Sequence, residues 1–356
     1  MHKRIIFIVY DGIQNSVFTS QVLKPLQNLL NKDNKVEISI ISFEKISKKN
    51  FINIIKQNNS LLKPQMANKI KFIILRKLPL ITKTSLLFAT YQLNKILKRT
   101  SFTKIIARGP LAGWIAIKTL KKLKQTNMPI TIQARGLCAQ EYRFTFQDLK
   151  ESLIKKIFRK ITYKKLNTIE KEVYCIKRNN ITFESVSPAL KNYLITNFET
   201  NKNQIIIASQ DIPEKIKTNK RKNFRKIIRE KLNIPPDSFV YCYSGSAKPW
   251  QCIDKAIKYF SIKLKNNPNN FLLILSQDQK QIEKIIKQNK INTKNFHLIN
   301  SKPKKLHQYL AACDAGLLFR DKDIINWVSR PTKMLEYQAA GLKIIHNNTV
   351  AWLENN

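Results

Sequence analysis

The stretch "SRPTKMLEYQAAGLKII", residues 329–345, predicts a short helix that leads directly into a buried strand. Pro331 suits the first helical position, where its missing N–H costs nothing, and the residue before a proline avoids the α region. The helix is therefore predicted to begin at Pro331 and to end before Gly341, a typical C-terminal glycine. Lys333 then lies in the first turn, where the positive end of the helix dipole disfavours a cation by roughly 0.3–1 kcal/mol.

A bound anion at this helix start would explain the lysine. The N–H groups of Thr332 and Lys333 have no partner within the helix, so a phosphate could accept from both and pair with the ammonium group. Glu336 lies one turn further along, where its carboxylate could accept hydrogen bonds from the hydroxyls of a ribose. The pattern predicts a nucleoside diphosphate site. An ordinary surface lysine beside a solvated glutamate is the alternative.

The size and charge of the chain define broad classes of protein. Its 356 residues predict two domains, and with 43% hydrophobic residues each can bury a core. The formal net charge is +42, which favours anionic partners: nucleic acid, an anionic membrane or phosphorylated substrates. A composition rich in Lys, Asn and Ile is also what an AT-rich coding sequence produces. Charge alone therefore does not choose between these partners.

Targeting segments and cysteine clusters are not recognisable in the sequence. No apolar run is long enough for a membrane span, and the first run, residues 5–10, is too short for a signal peptide. The five cysteines form no CxxC pair and no cluster with histidine. We therefore expect reduced thiols in a cytoplasmic protein, without a metal site.

Short apolar runs alternate with amphipathic ones along the whole chain, which predicts parallel sheets covered by helices. The predicted strands are Arg4–Tyr10, Val36–Phe43, Lys71–Arg76, Lys104–Ala107, Ile130–Ala134, Ile181–Val186, Gln204–Ala208, Phe239–Tyr243, Phe271–Leu275, Phe296–Ile299, Ala315–Phe319 and Lys343–His346. The predicted helices include Phe18–Leu30, Leu111–Leu123, Ile253–Leu264, Ile282–Ile286 and Leu306–Ala312.

A polar and basic segment interrupts this alternation at residues 213–235 and is predicted to be a linker, with room for one short helix. It divides the chain into an N-terminal domain, residues 1–212, and a C-terminal domain, residues 236–356.

Glycines directly follow four predicted strands: Gly12, Gly109, Gly136 and Gly245. Ligands of doubly wound sheets bind beyond the carboxyl ends of the strands, where close approach of the backbone favours glycine. These positions predict two ligand-facing sheet edges. Each glycine taken singly could also be an ordinary tight turn.

The opening stretch, with "DAGLLFRDKDIINW" before it, resembles the donor-binding segment of GT-B glycosyltransferases of the family 4, or group 1, type. "FVYCYSGSAKPWQCIDKAIKYF" resembles the first strand, glycine turn and helix of their C-terminal domain. The resemblance implies an α/β fold of GT-B architecture, with two Rossmann-like domains whose parallel sheets face each other across a cleft. The family normally continues beyond the position of Asn356, so a shortened C-terminal end is expected.

Carried over residue by residue, the resemblance implies a donor site and an acceptor side. The donor-binding residues would be Gly12, Gly245, Ser246, Lys248, Arg320, Ser329, Thr332, Lys333 and Glu336. Glu336 would bind the ribose, and Ser329, Thr332 and Lys333 would meet the diphosphate. Gly245 and Ser246 would let the backbone approach the phosphates, and Lys248 would supply charge. Arg135 and Glu141 would line the acceptor side. Many relatives carry a further glutamate where this chain has Val328.

The resemblance implies transfer of a sugar from a nucleotide-sugar to a hydroxyl acceptor, with retention of configuration and without a metal or cofactor. The acceptor would be a glycan or a lipid-linked molecule of cell-surface polysaccharide or glycolipid synthesis. No catalytic residue is identified by the sequence. An inactive or truncated remnant of the family is one alternative. A nucleic-acid-binding protein is another, although no RRM, KH or zinc-finger signature is present.

The segment 149–166, "LKESLIKKIFRKITYKKL", predicts a basic amphipathic helix. Its apolar residues recur at helical spacing, and basic residues occupy the other face, which suits an anionic membrane surface. The predicted membrane contacts are Lys155, Lys156, Arg159 and Lys160. This predicts a cytoplasmic protein that can lie peripherally on the inner face of the membrane. An ordinary helix packed on the N-terminal sheet is the alternative.

Overall fold

The computed structural model describes residues 3–13, 18–45, 52–53, 68–78, 83–147, 149–209, 212–301 and 305–353. The chain forms two compact units, Met1–Asp211 and Ile212–Asn356. Each unit contains one parallel β-sheet covered by helices.

The sheet of the first unit has seven parallel strands in the order β3-β2-β1-β4-β5-β6-β7. The strands are β1 Lys3–Val9, β2 Val36–Glu44, β3 Ile70–Arg76, β4 Lys104–Arg108, β5 Ile130–Ala134, β6 Ile181–Ser185 and β7 Ile205–Ile207. The helices are α1 Lys24–Lys32, α2 Lys83–Leu97, α3 Gly109–Lys122, α4 Cys138–Phe146, α5 Leu153–Tyr174 and α6 Pro188–Phe198. A π-helical turn, Thr19–Leu23, leads into α1.

The sheet of the second unit has five parallel strands in the order β10-β9-β8-β11-β12. The strands are β8 Val240–Ser244, β9 Phe271–Leu275, β10 Phe296–Ile299, β11 Ala315–Leu318 and β12 Lys343–His346. The helices are α7 Thr218–Lys231, α8 Ile253–Asn266, α9 Gln279–Gln288, α10 Leu306–Ala311, α11 Ile324–Trp327 and α12 Thr332–Ala339.

The central strands of both sheets are almost continuously apolar because helices cover both of their faces. Strands β8 and β9 are buried at every position, and so are the last five residues of β1. Burial on both faces is the reason that parallel strands appear in sequence as unbroken hydrophobic runs. All twelve predicted strands are present, with ends within one residue of the prediction. The predicted α/β fold with two parallel sheets is confirmed, whereas the cleft between the domains stays a prediction.

Residues 213–235, predicted as a linker, lie in the second unit and contain the 14-residue helix α7. Arg225 and Arg229 both pair with Asp314, at 2.8 and 2.9 Å, and the Arg229 guanidinium also donates to the Ala312 carbonyl. Ile228 is buried in the core of this unit. The polar composition of the segment therefore reflects a helix that anchors itself mainly through arginines.

Several helix boundaries differ from the predictions: α3 begins at Gly109 instead of Leu111, and α9 spans Gln279–Gln288 instead of Ile282–Ile286. Two further differences concern the segments to which a function is assigned. Helix α12 begins at Thr332, one residue late, because Pro331 has a ψ of 128° and is the non-helical N-cap residue. The helix predicted within 149–166 begins at Leu153 and continues to Tyr174, where its final turns are part of the core of the first unit.

Helix α12 is held against its sheet by Tyr337, which is fully buried. A Cβ built on Gly316 of β11 would lie 2.2 Å from a ring carbon of Tyr337, closer than any real contact. The hydroxyl of Tyr337 accepts a hydrogen bond from the Ser244 N–H at the end of β8, at 2.8 Å. One aromatic side chain therefore fixes the distance and the register of α12 over β8 and β11.

Replacement of Gly316 by Ala should destabilise the protein by about 1–3 kcal/mol, because the buried Tyr337 ring has to move to admit the new methyl group. The matched control is Gly113→Ala in α3, where the nearest atoms are flexible side-chain atoms of Ile132 at 3.0 Å or more. Urea unfolding should show a clearly larger loss for Gly316→Ala than for Gly113→Ala. Equal stabilities of the two variants would contradict this account of the packing.

Candidate functional site

Lys333 is the most unusual side chain of the second unit. It lies in the first turn of α12 and is only 7% exposed. Its Nζ atom lies 4.1 Å from the centroid of the Tyr243 ring, and within the described residues it has no hydrogen-bond partner. Burial lowers the pKa of this ammonium group well below its usual value, and the nearby Arg320 lowers it further. A buried ammonium group without a hydrogen-bond partner costs several kcal/mol, so a bound anion is a suitable ligand for this position.

The backbone after β8 lies directly beside this ammonium group. Gly245 has a φ of +141°, a conformation that side chains rarely adopt, and a Cβ built on it would lie 3.1 Å from Lys333 Nζ. Glycine at this position therefore lets the Lys333 ammonium group lie directly against the backbone.

Arg320 supplies a second buried cation at the same carboxyl edge of the sheet. It follows β11, is 6% exposed, and burial lowers the pKa of its guanidinium. Asn347, which follows β12, holds the Arg320 backbone, since its amide donates to the Arg320 carbonyl at 2.7 Å and its Oδ1 accepts from the N–H at 3.2 Å. Two buried cations that repel each other form a site suited to a ligand of more than one negative charge, such as a diphosphate.

The other predicted donor residues differ in burial and in their hydrogen-bond partners. Thr332 and Glu336 lie half-buried on α12, and the Glu336 carboxylate is close enough to favour the charged form of Lys333. Ser329 donates its hydroxyl to the Asn326 carbonyl at 2.7 Å, and the Ser246 carbonyl accepts from the Tyr243 hydroxyl at 2.7 Å.

Lys248 lies on the surface of the second unit. It is exposed, with its Nζ atom 5.2 Å from the centroid of the Trp250 ring. It is not part of the buried pair formed by Lys333 and Arg320. The role that the resemblance implies for Lys248 stays a prediction.

Two features of this site have no local signal in the sequence. Tyr243 places its ring under the Lys333 ammonium, Tyr337 holds α12 on the sheet, and each could equally have been an ordinary core residue. Val328, at the position where relatives carry a glutamate, is buried at 1% exposure. This position therefore presents an apolar side chain to the core.

The first unit has its own ordered charges at the carboxyl edge of its sheet. The Glu44 carboxylate, from the end of β2, accepts the Ile13 N–H at 2.8 Å and lies against Gly12, whose φ is +88°. Lys77, after β3, donates to the Tyr10 carbonyl and lies 4.1 Å from the centroid of the Tyr10 ring. Burial lowers the pKa of Lys77 to about 8. Buried charges from two strands therefore fix the loop that contains Gly12.

Asp11 in this loop pairs with Arg108 from the end of β4, at 3.2 Å. The Arg108 side chain is 7% exposed and that of Asp11 is 46% exposed. The carboxylate therefore faces solvent, while the guanidinium that pairs with it is buried. The sequence analysis missed Asp11, Glu44, Lys77 and Arg108 as edge residues. Their position directly after predicted strands was the available signal.

Arg135 and Glu141, the predicted acceptor residues, lie near this edge at the end of β5 and in the first turn of α4. Glu141 Oε1 lies so close to Gly136 that a Cβ built there would be 2.1 Å from it. The start of α4 is held by Glu170 of α5, whose carboxylate accepts the N–H groups of Cys138 and Ala139 at 2.7 and 3.1 Å. Within the described ranges, no group of three or more His, Cys, Asp or Glu side chains is arranged to hold a metal ion.

Comparison with known proteins supports the resemblance seen in the sequence. Residues 224–352 match the sequence profile of the family described as glycosyl transferases group 1. The match covers α12 and both buried cations, so it confirms the resemblance for the part of the chain that contains the candidate donor site. No curated protein sequence matches the chain.

Three solved structures share the fold over nearly the whole chain. WaaG, a glycosyltransferase involved in lipopolysaccharide biosynthesis, has a TM-score of 0.62 and 14% identity over 99% of this chain and 83% of its own. A glycosyltransferase from Rickettsia africae has a TM-score of 0.61 and 14% identity over 99% of this chain and 82% of its own. Sucrose-phosphate synthase from Thermosynechococcus elongatus has a TM-score of 0.61 and 14% identity over 98% of this chain and 82% of its own. At this identity the similarity shows the shared GT-B fold.

Replacement of Lys333 by Met should stabilise the ligand-free protein by about 1–3 kcal/mol, because it removes a buried unpaired ammonium group and keeps its volume. Lys248→Met, at an exposed position, should change the stability by less than about 0.5 kcal/mol. Inorganic pyrophosphate should raise the thermal midpoint of the wild type and not that of Lys333→Met. A destabilised Lys333→Met variant that still responds to pyrophosphate would refute the anion site.

Glu170 should make the stability of the first unit depend on pH. Burial raises its pKa from 4.5 to about 7, so the folded protein binds a proton more readily than the unfolded chain does. The stability that this proton contributes is fully present below pH 4.5 and is lost as the pH rises through 7. Relative to Glu170→Gln, the wild type should lose on the order of 2–3 kcal/mol between pH 5 and pH 8 in urea unfolding. Parallel pH profiles of the two proteins would contradict the assignment.

Proposed function

We propose that this chain, whose residues 224–352 match the profile of the group 1 glycosyltransferases, transfers a sugar from a nucleotide-sugar donor to a hydroxyl group of an acceptor. The observation that carries the proposal is the buried Lys333 ammonium, which has no hydrogen-bond partner among the described residues and lies beside Arg320 and Gly245. These groups lie in the segment that matches the family. The diphosphate of a nucleotide-sugar is the anion that we propose for this site.

The proposed chemistry is electrostatic. When the bond between the sugar and the diphosphate breaks, negative charge grows on the departing phosphate oxygens. Lys333, Arg320 and the positive end of the α12 dipole would stabilise that charge, which makes the diphosphate a better leaving group. Gly245 would let the phosphates approach the backbone, and Glu336 would accept hydrogen bonds from the ribose hydroxyls. Lys248, which is exposed on the surface of the second unit, would add positive charge to the donor site.

We propose further that the transfer retains the configuration of the sugar and uses neither a metal nor a cofactor. Positive charge from two buried side chains and a helix N-terminus would do the work that a divalent cation does elsewhere. The acceptor hydroxyl would then attack from the face that the diphosphate leaves.

The proposed acceptor is a glycan or a lipid-linked molecule of cell-surface polysaccharide or glycolipid synthesis. The fold shared with WaaG, whose name records a role in lipopolysaccharide biosynthesis, supports this choice. Arg135 and Glu141 at the carboxyl edge of the first sheet would contact the acceptor, and the Gly12 loop would contact the donor. We propose a cytoplasmic protein that works at the inner face of the membrane.

A screen of UDP-, GDP-, ADP- and dTDP-sugars by thermal shift tests the donor site directly. At least one of them should raise the midpoint of the wild type, with EDTA present as well as without it. Glu336→Ala should weaken that ligand by about 10- to 100-fold, because it removes hydrogen bonds to a charged group. The matched control is Glu283→Ala on α9, an exposed glutamate of the same unit, which should bind like the wild type.

Two results would count against the proposal. Binding that disappears in EDTA and returns with manganese would refute the metal-independent site. A wild type that responds to no nucleotide-sugar would favour an inactive member of the family.

A further inference from the structure

The N-terminal half of α5 exposes a continuous apolar face to solvent. Each of its members is 45–80% exposed. Single exposed hydrophobic residues are normal on a protein surface, whereas a contiguous set of this kind indicates an interaction site. The members are Leu153, Ile154, Ile157, Phe158 and Ile161. We call this set the 153–161 face.

The 153–161 face points away from the core of the first unit. The C-terminal half of α5 buries Thr162, Leu166, Ile169 and Val173, which follow one stripe of the helix. At 3.6 residues per turn, the exposed apolar positions span an arc of about 140°, and its centre lies about 120° around the helix from that stripe. Packing in the core of the first unit therefore explains the second half of α5 and leaves the apolar residues of the first half without a role in the core.

Lysines border this apolar arc. Around the helix, Lys155 lies on one side of the arc and Lys160 on the other, and Lys156 lies next to Lys160 but further from the arc. All three lysines are exposed. An apolar centre between cationic edges matches the interface of an anionic bilayer, where acyl chains lie beneath negatively charged headgroups.

Arg159, predicted as a fourth membrane contact, has a different role. It pairs with Glu151 at 3.2 Å, donates to the Tyr142 hydroxyl at 3.2 Å and stacks on Phe146 at 3.6 Å. These contacts fasten α5 to α4. Arg159 therefore orients the 153–161 face instead of contacting lipid.

We propose that the 153–161 face docks on the surface of an anionic lipid bilayer, with the helix lying in the plane of the headgroups. No helix among the described residues is long and apolar enough to cross a membrane, so the contact is a surface one. A second copy of this chain is a poor occupant, because each copy has a net charge of +42. Nucleic acid would match the lysines but would leave five large apolar side chains in water.

The position of α5 in the fold connects this surface to the acceptor side. Helix α4 begins at the carboxyl end of β5, and α5 runs back from the end of α4 to the amino end of β6. The N-terminal half of α5 therefore lies toward the same edge of the sheet as Glu141. A bilayer at the 153–161 face would bring a lipid-linked acceptor to that edge. This connection rests on the proposed function, whereas the docking itself does not.

Co-sedimentation with vesicles of phosphatidylcholine, with and without phosphatidylglycerol, tests the docking. The full-length protein should bind the anionic vesicles at low salt and dissociate as the salt concentration rises. The triple variant K155E/K156E/K160E should bind at least about 100-fold more weakly, because each lysine near an anionic surface contributes about a factor of five. The matched control K220E/K222E/K226E, with the same charge change on exposed positions of α7, should bind within about threefold of the wild type.

A second pair of variants tests the apolar contact at constant charge. Ile154→Ser with Ile157→Ser should weaken vesicle binding by at least about tenfold, because both side chains would leave the acyl region. The control is Ile227→Ser with Ile262→Ser, at positions of the second unit that are 49% and 52% exposed. It should bind vesicles like the wild type.

Four outcomes would overturn the proposal: no binding of the wild type to anionic vesicles, equal losses in the α7 control, no effect of the isoleucine variants, or displacement from the vesicles by duplex DNA at equal phosphate concentration. The thermal-shift screen with nucleotide-sugars serves as the independent measurement. If the lysine and isoleucine variants of α5 lose vesicle binding but keep the wild-type response to nucleotide-sugars, membrane docking and donor binding are independent properties.

Discussion

The second unit is organised around an ammonium group that has no hydrogen-bond partner within the described residues. Lys333 is placed under the carboxyl edge of the sheet by α12, and α12 is held by the ring of Tyr337 against Gly316. Folding alone gives no reason for this arrangement, because a methionine of the same volume would fill the space without the cost of a buried charge. In the proposed function, the bound anion offsets that cost. The glycine at 245, the second buried cation at 320 and the helix start all become explicable once that anion is assumed.

The first unit uses charge in the opposite way. There, Glu44 and Lys77 hydrogen-bond to the backbone of the loop that they fix, and Arg108 bonds to Asp11 and, at 2.8 Å, to the Gln21 side chain. Charged side chains held by such partners make a rigid edge. The charged groups of the first edge therefore bond to one another and to the backbone, whereas Lys333 has no hydrogen-bond partner among the described residues.

The sequence was sufficient for the strands and for the order of the elements, because strands buried on both faces leave unbroken apolar runs that need no knowledge of their neighbours. It was insufficient for α7, where arginines rather than hydrophobic residues make most of the anchoring contacts, and composition therefore resembled a linker. It also placed Lys333 at a helix start without predicting its burial. Burial depends on β8 and β11 being neighbours, a pairing between residues about 75 positions apart. The Asp11 network was missed for the same reason, since its members come from four separate strand ends.

Helix α5 is one rigid element with two environments, half in the core and half in solvent, and Arg159 fastens it where they meet. A flexible tether would bring the protein to a surface and leave it free to tumble there. A helix that is continuous with the core does not allow this tumbling. When its exposed half lies flat on a surface, the tilt of the whole first unit relative to that surface is fixed. Under the proposed docking, the search for a lipid-linked acceptor would become two-dimensional, because the edge of the first sheet would lie at a fixed height above the lipid. Encounter would then depend on lateral diffusion, and the orientation of the first unit would already be set.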